Sequence, residues 1–227
     1  MTVAAADLEQ ATDGLDASLQ AHVNGSGLVD YQALAVDRSA IDSFTAALEQ
    51  TDLSSLEADD RLATLINAYN AFALQTVLEH YPIEHVLNDL EQPFDAKRWM
   101  IGGEAYSLNE IENDLIRAKF DEPRIHWAVN CAAVSCPPLR AEAYRGDRLE
   151  TQLAEQEERT LDDEKYVKLD GSTLRLTRLF EWYEADFVKA AGSATAYVAG
   201  VVPAVAEAKP GDVEFMEYDW TLNDANR

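Results

Sequence analysis

Side chains able to do chemistry crowd into one stretch, Arg124 to Leu139, RIHWAVNCAAVSCPPL. It holds both cysteines of the chain and one of its 4 histidines. A thiol becomes a nucleophile when it ionises, and a nearby imidazole can ionise it. Ile125 to Val129 reads as a buried strand, with His126 and Ala128 on one face and Trp127 and Val129 on the other. Asn130 shares the His126 face if the strand persists. Cys131 to Ser135 reads as a turn or a single helical turn, stopped by Pro137-Pro138. Backbone N–H groups in that turn could form an oxyanion hole. Glu112 could orient the histidine as the third member of a triad. The expected catalytic set is therefore Cys131 as nucleophile, His126 as base and Glu112 as its orienter. Asn67, Asn70, Asn130 and Ser135 are expected to hold polar groups of a substrate.

The same residues allow a second function. Cysteine packs as a small hydrophobe, and a histidine among apolar neighbours is often a satisfied core group. Buried amides must be hydrogen-bonded, so Asn67 and Asn70 could simply tie neighbouring loops to the core. The first reading is a thiol-dependent hydrolase or acyltransferase. The alternative is a non-catalytic binding module with a buried Asn/His/Glu network, taking a small molecule or a peptide. Cys131 and Cys136 have a spacing that zinc sites use, but there is no second cysteine pair. No metal and no cofactor is expected. His22, His80 and His85 lack ligand-like neighbours, and the last two read as helix-end residues.

Composition narrows the choice. The net charge is −24 over 227 residues, with pI near 4.3. That charge opposes binding to nucleic acid or anionic lipid. The carboxylates are dispersed and lysine is scarce, a pattern expected of a salt-accumulating halophile. The start, MTVAAADLEQATDGLD, lacks the basic region and apolar run of a signal peptide. No apolar run approaches the ~18 residues of a membrane span. A cytoplasmic location is expected, and with it free thiols.

The elements that must position these residues follow from periodicity and punctuation. Helices are expected over 4–23, over 38–50 and from Ser54 or Ser55 to about His80. Leu65 to Phe72, in the third, is apolar nearly all round and so buried. A short helix fits Pro82 to Leu90. Gly102-Gly103 marks a hairpin within 99–106, and Ser107 to Glu110 is a capping box opening a helix to about Lys119. Glu112 stands at the border of its apolar face. A surface helix over 147–161, a hairpin around Asp170-Gly171 and a helix from Thr177 follow. Residues 194–206 read as helical, broken at Pro203, and Val213 to Trp220 as a last strand. The economical architecture is one α+β domain over 1–227. Its helices surround a small, mainly antiparallel sheet, with residues 1–25 as an N-terminal helix packed on it.

The sequence also resembles the family catalogued as domain of unknown function 547. The matching pieces are LINAYNAF (65–72), YSLNEIENDLIR (106–117), RIHWAVNCAAVSCPPLR (124–140), LFEWYEADF (179–187) and YDWTLND (218–224). The resemblance implies a mixed helix-and-sheet domain; the thiol-hydrolase reading adds the expectation of a fold related in kind to papain-like or transglutaminase-like enzymes. The resemblance marks Asn67, Asn70, Glu112, His126, Asn130, Cys131, Ser135 and Pro137 as motif positions and implies no activity. Asn113 departs from it, since many relatives have histidine there.

Overall fold

The structure, a computed structural model, describes residues 3–227. Helix α1 (Val3–His22) packs along α3 (Ser39–Glu49), with the short α2 (Tyr31–Val36) between them in sequence. Helix α4 (Ala58–Leu78) is the spine, and every residue from Leu62 to Leu78 is buried. Its start differs from expectation. Asp52, not Ser54 or Ser55, caps a short 3-10 turn at Leu53–Ser55, and Glu57 precedes α4 without a side-chain cap.

Beyond α5 (Val86–Asp89) the hairpin β1 (Trp99–Ile101) and β2 (Glu104–Tyr106) turns on Gly102 and Gly103, with φ of 60° and 81°. Those positive angles suit glycine. The Ser107/Glu110 capping box is present and opens α6 (Leu108–Glu110), which widens into a π-helical stretch at Ile111–Arg117. Helix α7 (Ile125–Ala128) comes next, then α8 (Leu149–Leu161). Strands β3 (Val167–Asp170) and β4 (Thr173–Leu176) pair antiparallel, and helices α9 (Leu179–Trp182) and α10 (Glu184–Ala191) follow. Pro203, at the first turn of α12 (Pro203–Ala208), separates it from α11 (Ala194–Val201). The last strand, β5 (Asp212–Phe215), is shorter than expected and pairs parallel to β4.

The architecture is α+β, as expected. In place of one small sheet there are, among the described residues, two, of two and three strands. The segment expected to prolong the last strand runs as a strap instead. Just beyond it, single bridges join Thr221 to His85 and Leu222 to Ala133.

Two hydrophobic clusters form the interior. The larger surrounds α4 and takes in α1, α3 and the hairpin. The smaller gathers β3, β4 and α9 to α11 around Trp127. Helix α7 lies at their seam: Ile125 and Ala128 belong to the first cluster and Trp127 to the second.

Candidate functional site

The expected strand at Ile125 to Val129 is the single helical turn α7. It sends Trp127 into one core and Ile125 into the other, and leaves His126 between them, 2% exposed. The histidine Nε2 lies 2.8 Å from Asp186 Oδ2. That same oxygen accepts from Arg117 Nε at 2.7 Å. The His126 hydrogen bond, opposed by burial and helped by Arg117, holds the Asp186 carboxyl well below the usual carboxylate range. A carboxylate can only accept, so Nε2 carries a proton; in the tautomer protonated there alone, Nδ1 keeps a lone pair. Tyr183 stacks on the imidazole with ring centroids 4.0 Å apart.

Glu112 sits in the π-helical stretch and is 3% exposed. Its Oε1 is 3.9 Å from His126 Nδ1, too far for a hydrogen bond. Neither atom has a protein partner. Burial, with the Glu112 carboxylate adding to it, pushes the Tyr69 and Tyr183 phenols up. Asp186 thus takes the orienting place expected for Glu112, while Glu112 faces the other ring nitrogen.

Glu112 and His126 line a cleft of about 220 Å³ at the seam of the two cores. Tyr69, Phe94 and Tyr183 contribute to its walls, with Asn109 beside them. Trp182, Tyr218 and Trp220 complete the aromatic lining as a cluster with centroids 4.7 to 6.1 Å apart. The remaining wall includes Cys131, Cys136 and Pro137. The family model described as "Protein of unknown function, DUF547" matches residues 53–160. Over those residues the chain is similar to this family. No curated protein and no solved structure matches the chain, so the papain-like kinship gains no support from them. The DUF547 match contains Glu112, His126 and both cysteines, but stops before Asp186 and the Trp182–Tyr218–Trp220 cluster. The cleft is therefore completed by the C-terminal third.

The cysteines are not free thiols. Cys131 and Cys136 are joined to each other, with Cα atoms 6.1 Å apart. The chain reverses at Ala132, whose φ is 65°, and this brings the pair together. With the sulfurs bonded there is no thiolate, so in this state Cys131 cannot act as the expected nucleophile, nor can the pair act as zinc ligands. Most of the N–H groups expected to form an oxyanion hole are already engaged, Ala133 excepted. The N–H groups of Cys131, Ala132, Val134, Ser135 and Cys136 all donate within the protein. The closed loop is short, so the chain-entropy gain from the bond is about 2 kcal/mol. Cys131→Ser should lower the unfolding free energy by about that amount in urea titrations. Unreduced protein, even denatured, should take up no iodoacetamide. Alkylation of either cysteine before reduction contradicts the bonded pair.

The asparagines serve the fold. Asn67 donates to Tyr144 O at 2.8 Å and accepts from Tyr144 N at 2.8 Å. Asn70 donates to Ala128 O at 3.0 Å and accepts from Asn130 N at 2.8 Å. Asn130 donates to Pro137 O at 2.7 Å and accepts from Ala132 N at 2.9 Å. None of the three lines the cleft, nor does Ser135, whose Oγ accepts from Asp219 N at 2.8 Å. Asn113, at the position of departure, is exposed and bonds to Asn109 O. His80 and His85 do sit at helix ends, the latter capping α5.

Asp186, Arg117 and the three-ring cluster are absent from the expected site. A usable signal existed for Asp186: Tyr183, Asp186 and Phe187 are spaced to share one helical face.

Proposed function

We propose that the cleft binds a small organic molecule, and that the buried His126–Asp186–Arg117 and asparagine networks fix its shape. One observation carries this reading. Glu112 Oε1 and His126 Nδ1, both buried, face each other at 3.9 Å without partners on the floor of an aromatic-lined cavity. A buried polar atom left unpaired costs about 1–3 kcal/mol, which a ligand donor placed there would recover. The volume is below the roughly 300–1,000 Å³ of drug-sized pockets, so a fragment-sized ligand is indicated. A screen of polar aromatic fragments, read by thermal shift and tryptophan fluorescence, tests it. At a hundred times its Kd a true ligand should stabilise the protein by about 2.7 kcal/mol. Its effect should vanish in Trp220→Ala. Fragments that act equally on that variant sink the reading.

Thiol-dependent hydrolysis or acyl transfer is a second reading, favoured because both cysteines line the cleft that holds His126 and Glu112. It requires an external dithiol to reduce the disulfide first, becoming a disulfide itself. Thioester hydrolysis that appears only after dithiothreitol treatment, and is lost in Cys131→Ser, supports it. A bonded pair also fits an oxidising compartment better than the cytoplasm expected from composition.

A further inference from the structure

We infer that the ligand of this cleft is a protonated amine, an ammonium group carried on a short apolar or aromatic stem. The inference rests on the binding reading above and names the chemical class. The two buried atoms without partners beside the cleft can both accept. Glu112 Oε1 is one, and His126 Nδ1 is the other in the tautomer whose single proton sits on Nε2 against Asp186. Both atoms are shut from solvent, so an ammonium nitrogen must part the Glu112 and His126 side chains slightly to donate one N–H to each. A carboxylate or phosphate ligand would set charge against Glu112 with nothing to offset it, because no lysine or arginine lines the cleft. Arg117 is the nearest guanidinium behind Tyr183, and it is engaged by Asp186.

The walls agree with the floor. Tyr69, Phe94, Trp182, Tyr183, Tyr218 and Trp220 present ring systems whose faces attract cations. The net charge of −24 would draw a cation towards the molecule at low salt. A neutral apolar ligand would bury Glu112 without giving it a donor, which disfavours it.

The test is a titration of the whole chain at low ionic strength with four probes of one stem, followed by tryptophan fluorescence. The probes are phenethylammonium, its trimethylated analogue, phenethyl alcohol and phenylacetate. Phenethylammonium should bind at least about tenfold tighter than the alcohol or the trimethylated cation, and phenylacetate should not bind. Glu112→Gln should weaken phenethylammonium by about tenfold and leave the alcohol nearly unchanged. If the alcohol or phenylacetate matches the amine, the ammonium inference fails and the binding reading stands. Equal binding of the trimethylated cation also overturns it, since that probe has no N–H to donate. If no probe perturbs the protein, both readings fail. The comparison among probes needs only the wild-type chain, so it holds even if Glu112→Gln does not fold.

Discussion

Asn130→Ala should destabilise the protein by about 3–5 kcal/mol, although the residue does not itself line the cleft. Its side chain holds the turn that carries the disulfide. The amide nitrogen donates to Pro137 O at 2.7 Å, and the amide oxygen accepts from Ala132 N at 2.9 Å and from Asn223 Nδ2 at 3.3 Å. Asn223 in turn accepts from Tyr31 OH at 2.8 Å, so the network reaches from the turn through the C-terminal strap to α2. Truncation leaves a buried backbone donor and a buried carbonyl without partners, and each costs about 1–3 kcal/mol. At this chain length each kcal/mol moves Tm by about 2–4 °C, so a fall of roughly 10 °C is expected. Urea unfolding of the wild type and the variant measures the cost. A change within about 0.5 kcal/mol, the usual range for surface substitutions, would mean that the amide is not structural and would return Asn130 to the ligand site.

The sequence disclosed most of what local pattern controls. The all-round apolar centre of α4, the Ser107/Glu110 capping box and the glycine turns at 102–103 and 171 each depend on a few neighbouring residues, and each is present. Ile125 to Val129 failed for the opposite reason. Five residues rich in β-branched and aromatic types suit a strand, but so short an apolar run cannot be told from a buried helical turn by pattern. What decides is tertiary: Ile125 and Trp127 must enter different cores from one turn of chain. The disulfide depends on a backbone reversal at Ala132, a residue type that gives no warning of positive φ. Asp186 is one of 42 acidic residues and stands 60 positions from the histidine it holds. Gathering of His126, Glu112 and the cysteines at one cleft was legible from the chain; the roles within that cleft were not.

The second large effect belongs to Trp127. It is fully buried and stands first by volume among the fully buried side chains. Its ring lies 5.2 Å from Phe180 and 5.5 Å from Phe187, so the smaller core is assembled around it. Trp127→Ala should cost about 3–5 kcal/mol, the range for emptying an aromatic site in a packed interior. Trp127→Phe keeps most of the apolar contact and should cost less. The consequence extends to the site, because His126 is the neighbouring residue on the same helical turn. Phe187 packs on both rings, 5.4 Å from the imidazole. A collapse of the Trp127 cavity would draw Phe187 inward and loosen the stack of His126 on Tyr183. Trp127→Ala should therefore weaken ligand binding at the cleft as well as lower the urea midpoint, whereas Asn67→Ala, whose amide is held by Tyr144 away from the cleft, should lower the midpoint alone. Equal ligand affinity in wild type and Trp127→Ala, measured below the unfolding transition, would show that the two cores do not share the site through α7.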